Sequence, residues 1–145
     1  DIGVYCLHAA QLLLGEPQTV AGKSVFLPGG IDGAGSLVLG YDGALAEIVY
    51  SKITDSVSPS EIEGEGGSIL IDAVSRPRRA ELGLRGGARR EIPLGVEADE
   101  MRYEIEDFLA LLRGADGARY LADSEAVTRT LDRARAGMGV EFRRR

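Results

Sequence analysis

In the opening run DIGVYCLHAAQLLLGEP, an acid, a phenol and an imidazole interrupt an otherwise apolar segment. At ~100° per residue, Asp1, Tyr5, His8 and Leu12 fall within about 60° of one another, on one stripe of a helix. Groups of these types, so aligned, can give, take and steer protons in general acid-base chemistry. The same residues also admit a plainer reading. Asp1 would cap the helix, Tyr5 would be a core ring with a satisfied hydroxyl, and His8 a partly buried polar residue. Spacing alone leaves both open, so the elements that would position the stripe have to be read next.

From Ile2 to Leu14, apolar residues fall on nearly every side of the helical period, which predicts a helix buried all round, ended by Gly15 and Pro17. Thr19 to Leu27 reads as a strand that stops at the loop PGGIDGAG. The runs SLVLGY and ALAEIVYSKI flank Asp42-Gly43, a strong hairpin signal. A second hairpin is expected around Ile62 and Ile69 to Ile71, turning at Gly66 and Gly67. A third turns at Gly86 and Gly87, and Pro93 makes its last run an edge strand. From Glu100 the period changes: Met101, Ile105, Phe108, Leu109 and Leu112 predict a helix stopped by Gly114. A last helix is expected to start at Asp123 or Ser124, to carry Val127 and Leu131 inward, and to end at Gly137.

Strands grouped between terminal helices define an α+β class: an open, largely antiparallel sheet of roughly six strands with helices on one face. The other face, partly apolar, would then meet another domain or subunit. A chain of 145 residues fits one domain, 1–145, with a single core.

Several function classes fall away. With 44% hydrophobic and 28% charged residues the chain should fold, and no apolar run approaches the ~18 residues of a membrane span. A net charge of -6 with dispersed acids argues against nucleic-acid binding, and Arg143 to Arg145 read as a solvated end. GKS at Gly22 to Ser24 lacks the phosphate-loop glycine, because Pro17 occupies that position. The glycines from Gly29 to Gly35 lack the dinucleotide spacing and lead into a strand. No metal site is expected, since His8 is the only histidine and Cys6 the only cysteine. A serine triad has no G-x-S-x-G to rest on. The lone cysteine suits a reducing compartment, hence a cytoplasmic location. The chain starts in mid-pattern without Met, and an upstream segment is expected.

DIGVYCLHAAQLLLGEP, followed by EIEGEGGSILIDA, resembles the C-terminal domain of the glucose-fructose oxidoreductase and inositol dehydrogenase family (Gfo/Idh/MocA). DFLALLRG and DSEAVTRTLDRA resemble the helices that close that domain, so the likeness covers nearly the whole chain. The family pattern is Asp-x-Gly-x-His-x-x-Asp. Asp1 and Gly3 match it, Tyr5 stands at the histidine position, and His8 stands at the second aspartate position. The tyrosine form is similar to glucose-fructose oxidoreductase itself and to dimeric dihydrodiol dehydrogenases.

The resemblance implies an NAD(P)-dependent oxidoreductase that moves hydride between the cofactor and a sugar, polyol or diol. Tyr5 would be its acid/base, Asp1 would position Tyr5 or the substrate, and His8 would support the site or contact the substrate. It further implies NAD or NADP bound mainly by an N-terminal Rossmann domain outside these residues, and a homo-oligomer formed through the open sheet face. A phenol with an ordinary pKa near ~10 needs a neighbouring cation to act as a base at neutral pH. In the family that cation is a lysine of the N-terminal domain, whereas Lys23 and Lys52 here read as surface residues. These residues alone are therefore expected to be inactive as a dehydrogenase. The alternative from another class is a non-catalytic binding or dimerisation module of the same fold.

Overall fold

The computed structural model describes residues 2–95, 99 and 101–140. In chain order the elements are α1 (Val4–Leu14), β1 (Thr19–Phe26), β2 (Asp32–Tyr41), β3 (Ala44–Ser51), β4 (Ser60–Gly64), β5 (Gly67–Ile71), β6 (Ala80–Leu84), β7 (Arg89–Ile92), α2 (Met101–Leu112) and α3 (Ala118–Met138). They fall into two compact units, one running to Ser56 and resuming at Ala118, the other Val57–Gly117. The α+β class and the open antiparallel sheets are as the sequence predicts. The strands, however, pair as a three-stranded sheet β1-β2-β3 and a four-stranded sheet β4-β5-β6-β7, not as one sheet of six.

The first unit is built around the β2–β3 hairpin. Tyr41 pairs with Ala44 across Asp42-Gly43, and Gly43 takes a φ of 74°, a backbone open to glycine at no steric cost. That turn fixes the register, so Leu37, Leu39, Ile48 and Tyr50 all point to one face. Against this face α1 lays Leu7 and Ala10, and α3 adds Val127 and Ala134. Leu39 is fully enclosed, with 0% of its surface exposed.

Two expectations about the helices are corrected here. Helix α1 is not buried all round: Leu12, Leu13 and Leu14 are exposed, because the sheet and α3 cover only the Leu7 and Ala10 side. Helix α3 begins at Ala118, not at Asp123 or Ser124, and runs through Gly137 to Met138, with Gly139 at φ 73°. Nothing between Gly117 and Asp123 breaks a helix, so the two capping-type residues end up in its interior. There Asp123 lies 3.7 Å from Arg119, one turn away, and the Ser124 carbonyl accepts the Thr128 hydroxyl at 2.7 Å. Val127 is buried as expected, and Leu131 is half-buried.

In the second unit, Gly64 pairs with Gly67, which places the β4–β5 turn at Glu65-Gly66, one residue earlier than read from the sequence. Gly67 instead opens β5, where a Cβ would run into the Gly83 carbonyl and Leu84 of β6. Gly86 and Gly87 connect β6 to β7, and β7, followed by Pro93, is an edge strand as expected. Helix α2 forms where its period predicts, yet none of its residues is buried.

The two faces of the three-stranded sheet should answer differently to truncation. Leu39→Ala is expected to cost about 3 kcal/mol in urea unfolding, the usual result of emptying a closed core site. Val49→Ala, at a residue 75% exposed on the opposite face, should stay within about 0.5 kcal/mol.

Candidate functional site

Tyr5 and His8 lie one turn apart on α1, whose first turn is closed by the Leu7 amide donating to the Gly3 carbonyl at 3.1 Å. Asp1, the third member of the stripe, lies outside the described residues. The helix ends where the Gly15 amide reaches the Gln11 carbonyl at 3.0 Å, with Gly15 at φ 77°. Because Leu7 and Ala10 take the buried side, the Tyr5 side is turned outward. Tyr5 is 57% exposed, His8 is half-buried, and Ile2, Leu12 and Leu13 are exposed as well. The structure thus sets Tyr5 and His8 on one accessible face, and the reading of Tyr5 as a core ring is overturned.

Beneath the start of α1 sits a polar cluster that the sequence reading did not identify. The Ser24 and Tyr50 hydroxyls are 3.2 Å apart, and Lys52 Nζ donates to Asp32 Oδ1 at 3.2 Å. The Tyr50 phenol and Asp32 are close enough to influence one another's ionisation. Tyr50 is 8% exposed, and burial pushes its phenol above the ordinary value, so it stays protonated. Desolvation works against the Asp32 charge, but the hydrogen bond and charge of Lys52, with the neighbouring Tyr50 hydroxyl, outweigh it and hold the carboxyl below its usual range. Lys52 is therefore a paired, largely covered lysine and not the surface residue expected, because the residue just past β3 stands beside Asp32 at the start of β2. Lys23 is exposed, as expected.

A signal for this cluster was present. With the turn at Asp42-Gly43, counting back along the hairpin puts Gly35 directly opposite Tyr50. A glycine facing a large inward ring marks the place where that ring lies over the neighbouring strand.

Arginines of α3 fix the other end of α1. Arg133 donates to the Pro17 and Gln18 carbonyls, each at 2.7 Å, and Arg129 pairs with Glu16 at 3.0 Å. The hydrogen bond from Arg129 lowers the pKa of Glu16. In the other unit, a shallow open depression is lined by Glu61, Glu63, Arg85 and Arg89 and includes no residue of the α1 stripe. Among the described residues, no cluster of three or more His, Cys, Asp or Glu could hold a metal ion. Among the same residues, no helix is long and apolar enough to cross a membrane.

No family model matches the chain. The fold is that of a portion of larger oxidoreductase chains. It superposes on UDP-N-acetylglucosamine 3-dehydrogenase GnnA from Acidithiobacillus ferrooxidans with a TM-score of 0.76 at 19% identity, covering 95% of this chain and 46% of that one. Sequence relatives narrow the class. The chain is 42% identical over 113 residues to scyllo-inositol 2-dehydrogenase (NADP(+)) IolU of Bacillus subtilis (strain 168), which covers 78% of it and 34% of the relative. It is 36% identical over 112 residues to the uncharacterized oxidoreductase YgjR of Escherichia coli (strain K12), covering 77% of this chain and 34% of that protein. These likenesses are to dehydrogenases and oxidoreductases, in agreement with the Gfo/Idh/MocA resemblance read from DIGVYCL. It spans about a third of the length of the curated relatives it matches.

The Asp32 pairing has a pH signature. A carboxyl whose pKa is lower folded than unfolded adds stability above the ordinary value, 3.8, and that stability is lost as the pH falls through the lower folded value. Urea unfolding between pH 7 and pH 3 should therefore give Asp32→Asn a lower stability at pH 7 and a shallower acid decline than the parent.

Proposed function

We propose that this chain is the substrate and oligomerisation part of an NAD(P)-dependent oxidoreductase acting on a sugar, polyol or related diol, with Tyr5 as its acid/base. One observation carries this reading: α1 is anchored on its Leu7 and Ala10 side and presents the Tyr5 phenol, 57% exposed, on an apolar outer face. A phenol held this way can stand beside a reacting carbon and pass the hydroxyl proton, through its Oη, as the C–H bond is broken or made. The name of IolU, an NADP(+)-dependent dehydrogenase of scyllo-inositol, supports a polyhydroxylated substrate and a nicotinamide cofactor.

The residues here are suited to meet such a cofactor and not to enclose it. They carry no dinucleotide fingerprint, while Ile2, Leu12 and Leu13 offer the apolar setting a nicotinamide ring requires. When bound by a preceding Rossmann domain, NAD or NADP supplies the hydride acceptor. Tyr5 then handles the proton, Asp1 orients Tyr5 or the substrate, and His8 contacts a substrate hydroxyl from the next turn. A cation beside the Tyr5 phenol would come from that preceding domain, since Lys52 is paired with Asp32 at 3.2 Å. The outer face of the three-stranded sheet, with Val38, Leu45 and Val49 exposed, is the proposed contact between copies. The unpaired thiol of Cys6 fits a reducing, cytoplasmic setting.

The test is NAD(P)-linked oxidation of inositols and other polyols by the longer polypeptide carrying this chain and its cofactor domain. Tyr5→Phe should lower turnover by about 100-fold or more, the range for loss of a general acid-base group. Undiminished turnover in that variant would remove Tyr5 from the chemistry.

A further inference from the structure

Gly3 and Tyr50 meet where α1 begins. A Cβ placed on Gly3 would stand 3.3 Å from Tyr50 Cδ1, so the first turn of α1 rests directly on the Tyr50 ring. Further along the ring lies Gly35, where a Cβ would overlap the phenol end of Tyr50. The ring thus lies close against the backbone of the helix start and the backbone of β2. Its hydroxyl is held as well, by Ser24 at 3.2 Å, where either hydroxyl can be the donor. Ser24 in turn donates to Met138 Sδ at 3.2 Å.

We infer that Tyr50 is a positioning residue for the proton transfer assigned to Tyr5: its locked ring is the seat that sets where the Gly3 turn, and with it the Tyr5 phenol, stands. The inference rests on the reading of Tyr5 as acid/base. A backbone seat of this kind has leverage on chemistry because displacing a reacting group by about 1 Å can cost orders of magnitude in rate. It also gives Ser24 a role: the buried Tyr50 hydroxyl can leave its place only by breaking its hydrogen bond to that residue.

The experiment is a double-mutant cycle on kcat in the longer polypeptide, comparing Tyr50→Phe, Tyr5→Phe and the pair. Tyr50→Phe keeps the ring in its slot and removes only the hydroxyl that holds it, and a melting curve for each variant reports whether the fold persists. Expected is a fall in kcat of about tenfold for Tyr50→Phe with KM for substrate and cofactor little changed, and no further fall when it is added to Tyr5→Phe. Ser24→Ala, which loosens the same hydroxyl from the other side, should shift kcat in the same direction by less. Losses that multiply in the pair, or full kcat in Tyr50→Phe, would overturn the positioning role while leaving Tyr5 in place. Full turnover in Tyr5→Phe alone would overturn the reading of Tyr5 and this inference with it.

Discussion

One face of the β2–β3 hairpin sets the orientation of α1, and with it the direction in which Tyr5 and His8 are turned. Leu37, Leu39 and Ile48 form an apolar bed on which Leu7 and Ala10 of α1 and Val127 and Ala134 of α3 close. Burying these side chains is the main favourable contribution in the first unit, and it has a directional consequence. A helix that sinks Leu7 and Ala10 must turn Tyr5 and Leu12 the other way, because the angular spacing of the residues allows nothing else. The exposure of the phenol therefore follows from the burial of its neighbours and needs no dedicated device.

Apolar packing fixes the rotation of α1 but is less exacting about its position along its own axis, since Leu and Ala side chains tolerate small slides. Polar contacts at both ends supply that constraint. At the C-terminal end, the Arg133 guanidinium grips the Pro17 and Gln18 carbonyls and Arg129 pairs with Glu16. A planar fork on two carbonyls is directional in a way that a lysine would not be. At the N-terminal end the Tyr50 ring meets Gly3, with Ser24 holding its hydroxyl. Removing polar groups from water is costly unless they find partners, and the Ser24–Tyr50 and Lys52–Asp32 pairs supply them. The glycine at position 3 is part of the arrangement, because a Cβ there would press on the ring at 3.3 Å.

Much of this was legible in the sequence where local chemistry determines the outcome. Asp42-Gly43 set the hairpin and its register, Gly15 and Pro17 closed α1, and Gly114 closed α2. The stripe carrying Tyr5 and His8 was visible from angular spacing alone. What was not legible depends on neighbours distant in the chain. Periodicity could not say how much of α1 would be covered, because that depends on how far the sheet and α3 extend. It could not place the start of α3, because Asp123 and Ser124 are acceptable inside a helix when Arg119 and Thr128 sit one turn away. It could not divide seven strands into two sheets. Lys52 looked like surface charge because its partner, Asp32, stands 20 residues earlier and reaches it only through β2–β3 pairing. The Tyr50 seat was half visible: Gly35 faces it by simple counting from the turn, but the Gly3 contact joins elements that pattern analysis treats separately.

The exposed apolar residues complete the argument about what kind of part this is. Ile2, Leu12 and Leu13 are exposed near the two ends of α1, and Met101, Ile105, Phe108, Leu109 and Leu112 of α2 are exposed too. Isolated apolar residues on a surface need no explanation, but several on one helix beside an exposed phenol suit a surface that meets another. An apolar cover over a phenol makes it harder to ionise unless a positive charge comes with the cover. The same exclusion of water strengthens the attraction between such a charge and a phenolate. On the proposed reading of Tyr5, cover and charge would therefore arrive together, from a second surface facing α1.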